Sequence, residues 1–181
     1  MSARISDPKY LVQPLRDDLP FIEADMAALG HEIVIIETAR SPERAEMLEA
    51  KGTSKTGDRS LHCWKRDDGE YESYAVDLGN KRGIGAPGSP RAGKADWWSD
   101  WILGPDGKPL KTTFFPDLET VAIKRGWFRL FSAGVKHDAF NKLVESWDGP
   151  HIQAIPVKQQ NRLRAMSSDA RLVALLAMRI K

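Results

Sequence analysis

The stretch Ser60–Leu78, SLHCWKRDDGEYESYAVDL, has the pattern of a β-hairpin. Residues 60–65 and 70–78 are rich in aromatic and β-branched side chains, which are typical of strands. Asp68-Gly69 lies between the two runs, and this pair favours a two-residue turn. The stretch therefore predicts two adjacent antiparallel strands.

Two side chains of this hairpin are metal-binding types, His62 and Asp77. With a two-residue turn His62 faces Ala75, so Asp77 lies on the same face as His62. Such a diagonal separates the backbones by roughly 7–8 Å, a gap that two side chains sharing one ion can bridge. A register change of one residue would place them on opposite faces. Cys63 points away from His62 by the same alternation.

A second candidate segment is WDGPHIQ, residues 147–153. Asp148 precedes His151 by three positions, so one loop could supply both a metal ligand and a nearby base. Pro150 restricts the backbone conformation between them. A hydrolytic zinc site needs three protein ligands and one open position, and with a single cysteine in the chain these ligands have to be histidines and carboxylates.

The remaining elements predict an α+β fold, because helices and a few strands alternate without a βαβ rhythm. We expect a helix over Asp17–Leu29, a strand over His31–Thr38 and a helix that Ser41-Pro42 begins and Gly52 ends. Residues 79–94 read as a long loop, and their G-x-G-x-x-G is not followed by a helix start, which argues against a nucleotide site. The later predictions are helices over Asp117–Arg125 and His137–Glu145, a loop with a short strand over Trp147–Val157, and a final helix capped by Ser167 with Leu172, Val173, Leu176 and Ile180 on one face.

Composition restricts the functional classes. The 181 residues carry 27 Lys+Arg and 25 Asp+Glu, a net charge of +2, which is too small to favour a nucleic-acid binder. The longest apolar run, Leu172–Met178, is much shorter than the roughly 20 residues that span a bilayer. We expect one domain over 1–181, a monomer, and no secretion signal at the amino terminus.

Four motifs in order resemble one family. Glu37-Thr38-Ala39-Arg40-Ser41, Ser-x-His at residues 60–62, Ala-x-Asp-Leu at 75–78 and Trp-Asp-x-Pro-His-x-Gln at 147–153 are similar to zinc peptidases of the D-Ala-D-Ala carboxypeptidase and L-alanyl-D-glutamate endopeptidase group, especially phage endolysins. The resemblance implies a hedgehog/DD-peptidase fold with a small antiparallel sheet flanked by helices. It also implies that Zn²⁺ is bound by His62, Asp77 and His151, that Asp148 is the catalytic base, and that Arg40 assists substrate or oxyanion binding.

The family resemblance leaves the substrate and mechanism open. It implies an endopeptidase for the L-Ala–D-Glu bond of the peptidoglycan stem peptide, with a D,D-carboxypeptidase or dipeptidase as the alternative. The step from His62 to Asp77 exceeds the family's usual one, and KRDDGEYE fits an inserted hairpin. A catalytically silent zinc module that binds the cell wall is a third interpretation, and a hydrolase using Cys63 is a weak fourth.

Two expectations concern the location of the protein. Following the resembling endolysins, we expect it to stay in the host cytoplasm until a holin-type, membrane-permeabilising protein gives it access to the cell wall. Residues 156–181 predict a basic C-terminal helix that attracts an anionic envelope surface. Its basic residues are Lys158, Arg162, Arg164, Arg171, Arg179 and Lys181.

Overall fold

The fold is described from a computed structural model, which covers residues 4–52, 60–129, 151–156 and 159–179. The predicted helix over His137–Glu145 and the predicted base Asp148 lie outside the described residues. The described parts are α+β, with small antiparallel sheets flanked by helices. This confirms the predicted fold class.

A four-stranded antiparallel sheet lies at the centre, in the order β1-β2-β6-β5. Its strands are β1 (Ile33–Glu37), β2 (Ala75–Asn80), β5 (Phe128–Arg129) and β6 (His151–Gln153). β2 runs down the middle and is buried along its whole length. Its register places Asp77 between Glu37 on β1 and His151 on β6, so three motifs that are far apart in sequence become neighbours.

β1 contains an irregularity beside this row. Ile35 pairs with Leu78 and Glu37 pairs with Asp77, so Ile36 is one extra residue, as in a β-bulge. Bulges redirect the side chains that follow them. Here the bulge comes immediately before Glu37, the last residue of β1. Arg40, the predicted substrate-binding residue, follows three positions later.

Two helices cover one face of the sheet. They are α1 (Gln13–Ala28) and α3 (Phe114–Lys124), and apolar residues in α1 recur at helical spacing to face the core. Between these helices and the sheet lies the main hydrophobic core, with buried members that include Leu15, Leu19, Ile22, Met26, Val76, Leu78, Phe115, Leu118 and Ile152. α2 (Pro42–Ala50) follows β1, and Ser41 caps it by accepting a hydrogen bond from the Arg44 amide, as predicted.

The predicted hairpin at Ser60–Leu78 is wrong in its register. The Arg66 amide donates to Glu70 O and the Gly69 amide to Arg66 O, which closes a three-residue loop with Gly69 at φ 89°. This is the type I turn with a left-handed glycine, and it shifts the pairing by one residue relative to a two-residue turn. Lys65 therefore pairs with Tyr71, and the ladder is short.

His62 also lies on no strand. Leu61–Cys63 forms a 3₁₀ turn, in which the Ser60 hydroxyl accepts from the His62 amide at 3.4 Å and Ser60 O accepts from the Cys63 amide at 2.9 Å. Ser60 thus stabilises this turn. β2 pairs with β1 and β6 instead of with residues 60–65.

α3 begins three residues earlier than Asp117, which was the predicted cap. Asp117 lies in the first turn, where its Oδ2 accepts from the Thr113 hydroxyl at 2.6 Å and contacts His31 Nε2 at 2.7 Å. His31 also packs edge-on against Phe114. These contacts give His31 a structural role.

The C-terminal helices are α4 (Gln160–Arg164) and α5 (Ser168–Arg179), and the Ser167 hydroxyl accepts from the Ala170 amide at the start of α5, as predicted. The predicted apolar face of α5 is not the buried one, because Val173 is 68% exposed and Leu176 is 44% exposed. Leu175 and Arg171 are buried instead. The Arg171 guanidinium lies over the rings of Trp64 and Tyr74, which explains how a cation is accommodated there.

Residues 81–100 form turns and isolated bridges, consistent with the predicted loop, and lead into a small hairpin of β3 (Trp101–Leu103) and β4 (Pro109–Lys111). The loop is pinned to the sheet, since the Asn80 amide donates to Trp97 O at 2.9 Å. Among the described helices, none is long and apolar enough to cross a membrane.

Candidate metal centre

The side chains of His62, Asp77 and His151 converge at one point. Nε2 of His62 lies 3.3 Å from Asp77 Oδ1, and Nδ1 of His151 lies 3.0 Å from the same oxygen. The two ring nitrogens are 3.4 Å apart. All three residues are buried, at 1%, 5% and 8% exposure respectively. The structure therefore brings together the three predicted metal ligands, although by a different local route from the predicted hairpin.

The tautomer of His62 is fixed by the backbone of the segment after β1. Nδ1 of His62 lies 3.2 Å from Thr38 O, an atom that can only accept. The ring proton therefore belongs on Nδ1, and Nε2 directs a lone pair at the convergence point. The same segment also holds the His62 backbone, because the Arg40 amide donates to His62 O at 2.9 Å.

The ring of His151 is oriented by Gln153, two residues along β6. The Gln153 amide nitrogen donates to Ile155 O, so its Oε1 faces His151 Nε2 at 3.2 Å. That oxygen accepts the proton of Nε2, which leaves a lone pair on Nδ1 pointing inward. Gln153 is 1% exposed, so little water competes for this bond. Both histidines thus present bare nitrogens to the same point.

The donor set fits a metal ion. Three acceptor atoms, two imidazole nitrogens and a carboxylate oxygen, lie within 4.8 Å of one another in a buried site. Before a metal binds, the inner ring nitrogens can carry protons instead, and Asp77 is then held as a carboxylate: burial raises its pKa, but the charge of a protonated His62 and hydrogen bonds donated by both histidines outweigh burial and lower that pKa well below its usual range. Imidazole and carboxylate together suit zinc and related divalent metals, and three protein ligands leave a position for substrate or water.

Next to the metal ligands lies a buried ion-pair network. Arg40 donates through Nε and Nη2 to Glu37 Oε2, and Arg44 donates through Nε to Glu37 Oε1. Nη2 of Arg40 is also 3.9 Å from Asp77 Oδ2, so this guanidinium adjoins the metal ligands. Burial opposes the charge on Arg40, but hydrogen bonding and charge interaction with Glu37 outweigh it and raise the Arg40 pKa. Arg40 is therefore a fixed positive group at the edge of the centre.

The 81–100 loop packs against β2 beside Asp77. Gly79 lies on the same face of β2 as Asp77, and a Cβ at Gly79 would be 2.6 Å from Ile36 Cδ1 and 2.8 Å from Trp97 O. The absence of a side chain at Gly79 thus lets the 81–100 loop close onto the sheet. Trp97 is held there by its backbone while 41% of its side chain stays exposed.

The structure places Arg40 beside the predicted ligands, together with several neighbours to which the sequence motifs assigned no role. Glu37 and Gln153 both lie inside the quoted motifs, and Arg44 lies in the helix that follows. Gln153 could have been found from strand alternation, because it shares a face with His151. Glu37 and Arg44 could be paired only after the bulge was known. Asp148, the predicted base, lies outside the described residues.

Comparisons with known proteins identify a distant structural neighbour. No protein-family model matches the chain, and no curated protein matches it. Among solved structures, the chain is similar to the vancomycin-resistance D,D-dipeptidase VanXYg, solved in complex with a D-Ala-D-Ala phosphinate analogue, at 18% sequence identity and a TM-score of 0.41. The match covers 91% of this chain and 57% of that chain, so this chain spans little more than half of that protein's length.

Proposed function

We propose that this chain is a zinc-dependent peptidase that hydrolyses the stem peptide of peptidoglycan, at the bond between L-Ala and D-Glu. The observation that carries the metal assignment is the hydrogen bonding behind the histidines. Thr38 O and Gln153 Oε1 hold the outer ring protons, so both inner nitrogens face Asp77 as acceptors. Three converging acceptors in a buried site repel one another unless a cation lies between them.

The substrate assignment is supported by the four ordered motifs and by the charge of the site. His62, Asp77 and His151 would hold the zinc ion, which in such an open site supplies Lewis-acid polarisation of the scissile carbonyl and activation of water. Arg40, fixed by Glu37, stabilises negative charge that develops on the carbonyl oxygen. Asp148 takes the proton of the attacking water and passes it to the leaving amine.

The biological setting follows the endolysins that the motifs resemble. We place the action of the enzyme at the cell wall, after a separate membrane-permeabilising protein has given it access. The exposed basic residues of α4, Arg162 and Arg164, then help it to concentrate on anionic envelope polymers.

The test is mass analysis of the fragments that the zinc-loaded chain releases from purified peptidoglycan. Release of a stem peptide that begins with D-Glu, from glycan that retains L-Ala, is expected. Loss of the terminal D-Ala instead would identify a D,D-carboxypeptidase and refute the proposed bond. No cleavage at all, with zinc bound, would refute the enzyme in favour of a zinc-containing binding module.

A further inference from the structure

The network around Glu37 contains more positive charge than that carboxylate needs. One carboxylate, Glu37, is shared by two guanidiniums, those of Arg40 and Arg44, each on its own oxygen. The three formal charges sum to +1, and Asp77, whose Oδ2 lies 3.9 Å from Arg40 Nη2, would share its charge with the bound metal. Glu37 is 2% exposed and each arginine is 8% exposed, so the excess charge is largely desolvated. A desolvated cation is costly unless an anion compensates it.

Arg44 is the group without a full set of partners. Its Nε donates to Glu37, whereas neither of its Nη nitrogens has a hydrogen-bond partner among the described residues. Its place in the first turn of α2 adds to this cost, because the positive end of a helix dipole disfavours a cation. The Nη nitrogens of Arg44 are not among the fully buried polar atoms that lack a partner, so they reach the surface and are accessible to a ligand.

We propose that Arg44 and Arg40 form a carboxylate-binding subsite that adjoins the metal centre. This inference rests on the proposed function and specifies its substrate class, a peptide with a free carboxylate close to the scissile bond. The planar Nη pair of Arg44 suits bidentate binding of a carboxylate. Arg40 joins this subsite to the metal ligands, because its Nη2 lies between Glu37 and Asp77.

Two carboxylates of a stem peptide fit this chemistry, and the proposed bond selects one of them. The α-carboxylate of D-Glu belongs to the residue that follows the L-Ala–D-Glu bond, whereas the C-terminal carboxylate lies further along the peptide. We therefore assign the subsite to the α-carboxylate of D-Glu. Amidation of that group removes its charge and one acceptor, and it gives a simple chemical test.

The experiment is a binding comparison with the peptide L-Ala-γ-D-Glu-L-Lys-D-Ala, made non-cleavable by N-methylation of the scissile amide. Three forms are titrated calorimetrically into the full chain, with and without added zinc: free, amidated at the D-Glu α-carboxylate, and amidated at the C-terminus. Because binding is measured directly, the result does not depend on whether the chain cleaves the peptide. The binding experiment can therefore refute the subsite while the peptidase proposal stands, and a cleavage assay can refute the peptidase proposal while the subsite stands.

For the unaltered chain, amidation at D-Glu is expected to weaken binding about 10- to 100-fold, the value of a charge-assisted pair. Arg44→Met should bind the free peptide as weakly as the D-Glu amide, with no further loss on amidation. Sensitivity to C-terminal amidation instead would support the subsite and overturn the proposed bond. Equal affinities for all three peptides, or unchanged binding by Arg44→Met, would overturn the subsite.

Two further variants separate binding from folding. Arg44→Lys keeps the charge beside Glu37 and loses the planar pair of donors, so it should fold and still lose most of the preference for the free carboxylate. Arg125→Met is the matched control, because Arg125 is a partly buried arginine paired with Asp25 away from the metal ligands. It should change the thermal midpoint but not the peptide preference. A full preference retained by Arg44→Lys would overturn bidentate binding by Arg44.

Discussion

Gln153→Met tests whether the hydrogen bonding behind the histidines creates the metal centre. The substitution removes the acceptor that lies 3.2 Å from His151 Nε2 and keeps a side chain of similar length. With metal on Nδ1, the ring proton has to stay on Nε2, where it would then have lost the Gln153 acceptor. Without metal, the proton can move to Nδ1 and face Asp77 Oδ1 at 3.0 Å. The penalty therefore falls mainly on the metal-bound state.

Its magnitude follows from the loss of the acceptor behind this buried ring proton, about 1–3 kcal/mol. At about 1.4 kcal/mol per factor of ten, zinc affinity should fall roughly 10- to 100-fold. The same range is typical for residues that support metal ligands through hydrogen bonds. The assay is a competition titration of zinc against a chromophoric chelator, with circular dichroism melts to measure stability.

Gln153→Glu is the matched control. Both variants remove the amide that donates to Ile155 O, so both should lose about 1–3 kcal/mol of folding stability. Only Glu keeps an oxygen acceptor for His151, and a carboxylate behind a ligating histidine increases its basicity. Zinc affinity should therefore fall in the Met variant and not in the Glu variant. Equal affinities in Gln153→Met and the unaltered chain would refute the assigned tautomer of His151.

Four further predictions concern the proposed site, the loop beside it and the basic C-terminal residues. His62→Ala, Asp77→Ala and His151→Ala should each abolish stoichiometric zinc binding in metal analysis, because each leaves two of three protein ligands; full zinc content in any of them would remove that residue from the ligand set. Asp148→Ala should still bind zinc, but its rate of peptidoglycan hydrolysis should fall roughly 10²–10⁴-fold, measured as the loss of turbidity of a peptidoglycan suspension. A near-normal rate would show that another residue is the base. Gly79→Ala should lower stability by about 1–3 kcal/mol in thermal melts, because its Cβ would lie 2.8 Å from Trp97 O, and an unchanged midpoint would show that the loop adjusts freely. Arg162→Gln with Arg164→Gln should reduce salt-sensitive binding to intact cells while peptide turnover persists, since both side chains are exposed; unchanged binding would remove α4 from the proposed envelope contact.

The structure removes two residues from the basic C-terminal set that was predicted to contact an envelope surface. Arg171 and Arg179 belong to the same basic set by sequence, yet both are packed into the fold. Arg171 lies over two aromatic rings, and Arg179 pairs with Asp18 and covers the Trp127 ring at 4.2 Å. Their replacement would destabilise the protein whether or not the tail binds an envelope. Local sequence could not reveal this, because the partners lie more than a hundred residues away or in another element.

Regular elements with strong local signals were predictable. The β-branched run before Thr38 and the Ser41-Pro42 start gave β1 and α2 close to their observed bounds. α5 was predicted at its start and not in its buried face, because helical spacing gives an apolar stripe but not the direction in which the helix packs. The residue that decides that packing is Leu175, which is fully buried while Leu176 is exposed.

The wrong register predicted for the Ser60–Leu78 hairpin did not affect the predicted metal ligands. Asp68-Gly69 fits either a two-residue turn or a three-residue loop, and the choice shifts the register by one. Had His62 been on that strand, the shift would have turned it away from Asp77. The site is unaffected because His62 lies on the 3₁₀ turn before the ladder begins. The motif itself was a better guide than the strand pairing that was inferred from it.

This arrangement also explains how fifteen positions can separate His62 from Asp77 without separating their side chains. The turn that carries His62 is held at both ends by residues outside the hairpin loop: the Arg40 amide donates to His62 O at 2.9 Å, and the Tyr74 amide donates to Leu61 O at 3.2 Å. The residues between them project as a short ladder that closes at Lys65 and Tyr71. Because neither ligand depends on that ladder for its position, its length is free to vary. The segment from Glu37 to Arg40 is not free in this way, since its backbone orients His62 while its side chains hold both arginines beside the metal ligands.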